Sequence, residues 1–264
     1  MSDASGSDNL SILKLGGSVI TDKETPETVD DDALAAAVEA IAESATINDE
    51  SNEANLLIVH GGGSFGHVHA SEHGVSTTEG TRDPAAVTAI HGAMKRLNSV
   101  VVDRLHAAGV AAVPVHPLSA VARDDDTAVS LPTAAVEGLR AEGFVPVLHG
   151  DVIAHAGEGV TVLSGDELVT GLAERLDAAR VGLCSTVPGV LDSGGDVIDS
   201  ITDFESVAAA LGDSDSTDVS GGMAGKVEEL LALARPARIF GPDAVGAFLA
   251  GDAPGTLIDG GSAD

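Results

Sequence analysis

Short apolar runs alternate with helical patterns along the whole chain, and this alternation constrains the fold more than any other feature. Runs of four or five residues bounded by Gly, Asp or His are typical of strands buried on both faces of a parallel sheet. Strands separated by helices specify an α/β sheet with helices on both faces. The predicted strands are residues 11–15, 55–59, 111–115, 144–148, 180–184 and 237–240. The predicted helices are residues 31–44, 84–108, 132–142, 166–176, 204–211 and 221–234.

The sequence predicts a single domain, because it shows no internal repeat and no linker long enough to separate independent units. We expect residues 1–10 to form a flexible tail, residues 11–264 to form the domain, and residues 212–220 to form a polar, mobile loop. The N-terminus lacks a signal pattern, and no apolar run approaches the roughly 20 residues that cross a bilayer. The single cysteine, Cys184, excludes an intramolecular disulfide and is expected to be buried. These features predict a cytoplasmic protein with no membrane partner.

The formal net charge of −29 is spread over nearly every loop and polar helix face. Nucleic acid and anionic membranes would be repelled, so we expect neither as a partner. The dispersed acid suggests a surface adapted to high salt, because molar salt screens charges over about 3 Å. Only four lysines remain: Lys14, Lys23, Lys95 and Lys226. A lysine kept beside glycines suggests a compact cation that reaches a phosphate, although solvated surface lysines are the alternative.

Ligands of α/β sheets bind beyond the carboxyl ends of the strands, so the segments that follow the strands are the candidates for chemistry. The first segment is KLGGS at residues 14–18, and Lys23 lies a few residues further on. The paired glycines Gly16 and Gly17 allow backbone N–H groups to approach phosphate oxygens, and the lysines add positive charge. A tight turn with two surface lysines is the alternative interpretation.

The second segment is HGGGSFGH at residues 60–67. It contains G-x-G-x-x-G, a pattern that is also typical of dinucleotide-binding sites, so such a site is one interpretation. Two features argue against it: the residues after Gly66 are not predicted to form an amphipathic helix, and no second strand places an acidic residue where it would bind the ribose. We therefore favour a nest of N–H groups around an anion, with His67 as a donor. We predict no metal site at His67, His69 and His73, because their spacing fits no zinc signature and no cysteine joins them.

Two further segments combine glycine with charge. HGD at residues 149–151 contains Gly150, which permits close approach of a substrate, and residues 164–167 predict a helix N-terminus whose N–H groups face an anion. Ordinary turn and capping chemistry is the alternative for residues 149–151 and 164–167.

SGGMAGK at residues 220–226 lacks the first glycine and the Ser/Thr of a Walker loop. This helix start with Lys226 suits the β- and γ-phosphates of ATP.

In this order, the four segments resemble the amino acid kinase superfamily over nearly the whole chain, as does VPGVLD at residues 187–192. Within that superfamily, GSFGH at residues 63–67 and ITDK at residues 20–23 are similar to the isopentenyl phosphate kinases of the archaeal mevalonate pathway. The resemblance implies an open αβα sandwich with a mainly parallel sheet and a homodimer. It also implies transfer of the γ-phosphoryl group of ATP, with Mg²⁺, to isopentenyl phosphate, with dimethylallyl phosphate as a second candidate acceptor.

The resemblance further implies an acceptor-binding lobe at about residues 11–163 and a nucleotide-binding lobe at about residues 164–264. The residues that it implies in catalysis are Lys14, Lys23 and His67. Those that it implies in ATP binding are Lys14, Gly16, Gly17, Ser18, Gly63, Asp166, Val187, Gly189, Asp192, Gly222 and Lys226. Those that it implies in acceptor binding are Gly62, His67 and Gly150.

Two other functions fit part of the pattern. A fosfomycin-type phosphonate kinase would have a compact polar acceptor pocket. A non-catalytic nucleotide sensor would keep the loops without transferring phosphate, and the presence of both Lys23 and His67 argues against it. Ala89, Ala93, Met94 and Leu97 on the long predicted helix are candidates for a hydrophobic tail pocket. The same periodicity describes any helix that faces a core, so we assign no residue to the tail.

Overall fold

The computed structural model describes residues 9–44, 53–125, 129–211 and 222–261. Two predicted segments lie outside these ranges: the loop at residues 212–220, and residues 1–8 of the tail. Leu10 is fully buried, so the core begins inside the predicted tail. The strands are β1 (Ser11–Leu15), β2 (Leu56–His60), β3 (Ala112–Pro114), β4 (Ala122–Arg123), β5 (Val129–Ser130), β6 (Val145–His149), β7 (Asp151–His155), β8 (Gly159–Leu163), β9 (Arg180–Cys184), β10 (Ser200–Ile201), β11 (Ala237–Phe240) and β12 (Thr256–Ile258). The α-helices are α1 (Gly17–Ile20), α2 (Asp31–Ala42), α3 (Gly63–Glu72), α4 (Pro84–Ala107), α5 (Ala134–Ala141), α6 (Gly165–Arg175), α7 (Ala208–Leu211), α8 (Gly222–Leu231) and α9 (Val245–Leu249).

A mainly parallel sheet of eight strands, in the order β10-β12-β11-β9-β1-β2-β6-β3, forms the centre of the molecule. The first strand of the chain lies in its middle, because Ile12 pairs with Leu57 of β2 on one side and with Val181 of β9 on the other. The β11–β12 pair is antiparallel. This sheet confirms the predicted α/β class, and it places the carboxyl ends of β1, β2, β6 and β9 side by side.

Helices cover both faces of this sheet, as the alternating pattern predicts. Successive residues of β1 point to opposite faces, so Ile12 packs into one core with α6 and α8, and Leu13 packs into the other with α2, α4 and α9. Helix α4 begins after Asp83, whose side chain accepts a hydrogen bond from Ala85 N, and it has Pro84 in its first turn. In the part of the chain that the structure describes, no helix is both long and apolar enough to cross a bilayer.

The elements α1, α9, β10 and β12 were not predicted, and the helix predicted at residues 204–211 is shorter, Ala208–Leu211. Two further differences bear on the site. A second sheet, in the order β5-β4-β7-β8, was not predicted, although β7 and β8 form a hairpin around the short turn AGE at residues 156–158. Helix α3 occupies residues predicted to be a non-helical anion nest. Its small and polar residues give it no apolar stripe, and it forms because it packs between α1 and α4.

Candidate active site

A cavity of about 350 Å³ opens at the carboxyl ends of the central strands. Its position follows from the parallel order of β1, β2, β6 and β9, since the loops that leave these strands meet at one edge. The predicted site residues that line it are Lys14, Gly16, Gly17, Ser18, Lys23, Gly62, Gly63, His67, Gly150, Asp166, Val187, Gly222 and Lys226. The four segments singled out in the sequence therefore share one cavity.

A buried ion pair joins two parts of the chain at the floor of this cavity. Lys14 Nζ donates to Asp166 Oδ1 at 2.5 Å, and both side chains are at most 5% exposed. Burial lowers the pKa of Lys14, and the neighbouring Asp166 carboxylate opposes that shift. A Cβ on Gly165 would lie 3.1 Å from Lys14 Cε, so this glycine leaves room for the lysine side chain. The pair fixes a cation at the end of β1.

Helix α6, which carries Asp166, is held at its N-terminus by two further contacts. Ser164 Oγ accepts a hydrogen bond from Glu167 N at 3.0 Å, as the sequence predicts for a capping serine. Glu167 also pairs with Arg123 of the second sheet at 2.8 Å, and this arginine side chain is 8% exposed. The unpredicted sheet therefore contributes directly to the position of the helix that holds Asp166.

The glycines of the first two segments allow the two loops to touch through their backbones. A Cβ on Gly17 would overlap the backbone of Gly63, and a Cβ on Gly61 would lie 2.6 Å from Gly17 N. Gly63 has φ +48°, and a Cβ there would also collide with Thr21 Oγ1. The helices α1 and α3 consequently begin side by side, with N-terminal backbone groups near the same cavity wall.

The remaining cations of the cavity come from two other segments. Lys226 lies on α8, four residues after Gly222, and its Nζ donates to the Gly222 carbonyl at 3.2 Å. Lys23 lies in a hairpin closed by an antiparallel bridge between Thr21 and Val29, and it is exposed to solvent. The fourth lysine of the chain, Lys95, is exposed on α4 and does not line the cavity. Three of the four lysines of a strongly acidic protein therefore line one cavity.

One end of the cavity is apolar, and sequence reasoning assigned no residue to it. Met94 and Ile90 lie one turn apart on the buried face of α4, and Met94 was among the sequence candidates for such a pocket. Two other candidates, Ala93 and Leu97, belong to the core beneath, and Ala89 does not line the cavity. Periodicity could not separate these cases, because a helix face that lines a cavity and one that faces a core have the same pattern. The apolar lining residues at this end are Ala70, Ile90, Met94, Val162 and Leu163.

Asp151 also lines the cavity and was not predicted as a site residue. Its buried carboxylate lies 2.9 Å from His91 Nδ1 and accepts a hydrogen bond from Val152 N at 2.9 Å. His149, two residues earlier, is fully buried behind it and stacks on His60 with ring centroids 5.6 Å apart. Burial, and then the proximity of His149, lowers the pKa of His60 to about 3, so this ring is neutral at physiological pH.

Two residues that the family resemblance implied in ATP binding lie outside the cavity lining. Gly189 is buried, and a Cβ there would lie 2.7 Å from Thr256 Oγ1. Asp192 is exposed and accepts hydrogen bonds from Gly194 N and Asp196 N. The loop after β9 passes the cavity at Val187 and then turns towards β12.

Across the described ranges, no three His, Cys, Asp or Glu residues form a group suited to a metal ion.

Comparisons with known proteins agree with this geometry. Residues 9–240 match the model of the amino acid kinase family. The chain is 61% identical over 252 residues to isopentenyl phosphate kinase of Haloferax volcanii, which covers 96% of this chain and 99% of the relative. It is 35% identical to isopentenyl phosphate kinase of Methanothermobacter thermautotrophicus, over 84% of this chain and 86% of the relative.

Solved structures lead to the same assignment. A structure described as "X-ray structures of isopentenyl phosphate kinase" superposes with a TM-score of 0.78 at 30% identity, and the match covers 94% of this chain and 100% of the solved one. The family model, the sequence relatives and the solved structure all cover most of the chain. The chain therefore belongs to the amino acid kinase family and, within it, to the isopentenyl phosphate kinases.

Proposed function

We propose that this protein transfers the γ-phosphoryl group of ATP to isopentenyl phosphate and forms isopentenyl diphosphate. One observation carries the proposal: three of the four lysines, His67 and an apolar wall that includes Ile90 and Met94 line a single cavity. An isoprenoid monophosphate has the same two parts, a dianionic head and a hydrocarbon tail. The kinases that this chain resembles are named for isopentenyl phosphate, a compound of this kind.

The basic region suits two anions that must approach each other. ATP and an acceptor phosphate repel, and fixed cations between them offset this repulsion without reorganisation during the reaction. We assign Lys14 and Lys226 to the phosphates of ATP and Lys23 to the phosphoryl group in transfer. Asp166 keeps the buried ammonium group of Lys14 in one place through their 2.5 Å contact. The local excess of lysine stands against a net charge of −29 for the whole chain.

The chemistry needs no covalent intermediate on the protein. A phosphate monoester oxygen is already nucleophilic at neutral pH, so catalysis consists of holding two anions in line and stabilising the charge that they share. We assign Gly62, His67 and Gly150 to the acceptor phosphate. We assign the remaining contacts with the nucleotide phosphates to Gly16, Gly17, Ser18, Gly63 and Gly222.

Magnesium fits this site as a partner of the nucleotide and not as a resident ion. The described residues offer no cluster of three ligands, and the cavity carboxylate Asp166 is already paired with Lys14. Mg²⁺ usually keeps several waters and binds through one or two carboxylates and the substrate phosphates. When bound with ATP, it would supply charge to the β- and γ-phosphates, and Asp151 and Asp166 are the carboxylates of the cavity lining that would be available to it.

The apolar wall distinguishes the proposed acceptor from the alternatives. A compact phosphonate such as fosfomycin would leave Ile90, Met94 and Val162 facing empty space, whereas an isoprenoid tail would cover them. A nucleotide sensor would have no use for that wall. The homodimer, the cytoplasmic location and the two functional lobes stay predictions from the sequence.

A coupled assay of ATP consumption in molar KCl tests the proposal. The acceptors to compare are isopentenyl phosphate, dimethylallyl phosphate, fosfomycin, acetylglutamate and UMP. We expect the highest kcat/KM with isopentenyl phosphate, dimethylallyl phosphate next, and little turnover with the others. A preference for fosfomycin, UMP or the amino acid would overturn the assignment, and binding of ATP without turnover on any acceptor would favour the sensor.

A further inference from the structure

Glu27 lies in the hairpin that carries Lys23 and has an unusual backbone conformation. Its φ of +49° is in the left-handed region, which residues other than glycine seldom occupy. Strained residues of this kind persist where surrounding contacts determine the local structure, and they concentrate at functional sites. The contacts of Glu27 therefore indicate what holds the hairpin in place.

The Glu27 carboxylate is bound by side chains from two different helices. Arg96 of α4 donates to it with two nitrogens, Nε at 2.9 Å and Nη2 at 2.6 Å. His69 Nε2 of α3 lies 2.6 Å from Oε1 of the same carboxylate. A two-pronged arginine contact fixes direction as well as distance, which a single ammonium contact does not. These hydrogen bonds, with Arg96 first, lower the pKa of Glu27.

Backbone bonds attach the same hairpin to the start of α3. Glu27 N donates to Ser64 O at 3.0 Å, and Ser64 N donates to Thr21 Oγ1 at 3.0 Å. Ser64 follows Gly63 and lies one turn before His67, both of which line the cavity. The two ends of the hairpin are thus tied to the helix that carries His67, while Lys23 between them is exposed and has a long, flexible side chain.

We propose that Glu27 is a positioning residue, which holds the Lys23 hairpin against α3 and α4 so that the Lys23 ammonium group reaches the phosphoryl group in transfer. This inference rests on the proposed function and on the role assigned there to Lys23. Glu27 itself does not line the cavity, so its effect on the reaction passes through the hairpin. A displacement of about 1 Å at a transferring group can lower turnover by as much as a hundredfold.

The chain contains a matched control for this contact. Arg104, also on α4, donates to Asp31 at 2.6 Å and is 46% exposed, and Arg96 meets Glu27 at 2.6 Å and is 55% exposed. The Arg104 pair joins α4 to Asp31, the first residue of α2, which lies beyond the Thr21–Val29 bridge that closes the Lys23 hairpin. If ion pairs on α4 acted only through stability, the loss of either arginine would have similar consequences.

The test compares Glu27→Gln, Arg96→Gln and Arg104→Gln in molar KCl, with radiolabelled ATP to detect slow turnover. We expect kcat to fall about tenfold in the first two variants, with the KM for ATP nearly unchanged, and to stay at the wild-type value in Arg104→Gln. Melting temperatures should change by similar small amounts in all three. In a Lys23→Ala background, Glu27→Gln should cause no further loss of kcat, because the group that it positions is absent.

The outcomes separate the two proposals. A wild-type protein that does not phosphorylate isopentenyl phosphate contradicts the proposed function. An active wild-type protein whose Glu27→Gln and Arg96→Gln variants behave like Arg104→Gln contradicts the positioning role. A loss from Glu27→Gln that adds in full to the loss from Lys23→Ala also contradicts it, because independent losses add.

Discussion

The lysines of the cavity differ in how firmly they are held, and this difference suggests how their roles divide. Lys14 is buried and fixed by Asp166, whereas Lys23 is exposed on its hairpin. A fixed cation suits a group that stays in place throughout the reaction, such as the nucleotide phosphates. A cation with freedom to move suits the phosphoryl group that changes position.

Substitution of three cavity residues should separate binding from turnover. We expect Lys23→Ala to lower kcat most, since its charge is needed where donor and acceptor share negative charge. His67→Ala should raise the KM for isopentenyl phosphate and lower kcat, and Lys226→Ala should raise mainly the KM for ATP. Steady-state kinetics with each substrate varied in turn measures these effects. Unchanged acceptor kinetics in a folded His67→Ala protein would reduce that histidine to a structural role.

Glu229 on α8 gives stability a dependence on pH. Burial, together with the neighbouring Asp166 and Glu167, raises its pKa from 4.5 to about 7. The folded state therefore binds this proton more tightly than the unfolded state, so the contribution of Glu229 to stability is present below pH 4.5 and is lost as the pH rises through about 7. Glu229→Gln removes the cost of the buried charge.

We therefore expect Glu229→Gln to melt at a higher temperature than wild type at pH 8, with a much smaller difference at pH 5. Differential scanning calorimetry in molar KCl at both pH values measures this. Glu228→Gln, on the exposed side of the same helix, is the matched control. An equal gain from Glu229→Gln at both pH values would show that charge burial is not its cause.

At the scale of single residues, glycine and lysine were the informative signals in the sequence. Gly16, Gly17 and Gly63 could be found because few other residues permit such close backbone approach, and Lys14 because a lysine retained beside glycines suggests contact with a phosphate. Ile90 could not be distinguished from the core residues around it. Asp151 lies in the HGD segment that the sequence singled out, but it was assigned no role, since one acid among forty-two stands out only when its burial is known.

The approach of α1 to α3 depends on a glycine that no other residue can replace. In Gly63→Ala, a Cβ would collide with Thr21 Oγ1 and the Gly17 backbone, in addition to the strain of a φ of +48°. We expect loss of most activity and a drop in stability of several kcal/mol, roughly the range for overpacking plus backbone strain. Thermal unfolding and kcat/KM measure the two effects.

Gly74 at the end of α3 offers the control. Its φ is +63°, but a Cβ there would meet nothing within 4 Å. Gly74→Ala should cost only about 1 kcal/mol of left-handed strain and should keep full activity. Equal effects at the two glycines would show that backbone strain, and not the contact between α1 and α3, determines the result.

Among the elements, those with a clear apolar pattern were predicted and those that depend on tertiary contacts were not. The strands at Ser11–Leu15, Arg180–Cys184 and Ala237–Phe240 have the predicted bounds, because strands buried on both faces form short, mainly apolar runs. Helix α3 has no such pattern, and the short strands β4 and β5 pair only within the second sheet. Their sequences are compatible with several conformations, and packing selects one.

For the whole molecule, the net charge of −29 predicts dependence on salt. Unscreened negative charges repel one another more in the compact state, and molar salt shortens their range to about 3 Å. We expect the melting temperature and kcat both to rise between dilute buffer and molar KCl. Thermal unfolding and the coupled assay across a KCl series measure this. A protein that is equally stable and fully active in dilute buffer would contradict the prediction.

The central position of β1 has a consequence for folding during synthesis on the ribosome. One edge of β1 stays open until β9 emerges, and Lys14 has no counterion until Asp166 is made, 152 residues later. At typical rates of translation this interval is on the order of ten seconds. Throughout it, the nascent chain presents an unpaired strand edge that chaperones or other chains can engage. A message truncated before β9 should therefore produce no partial enzyme, only a substrate for degradation.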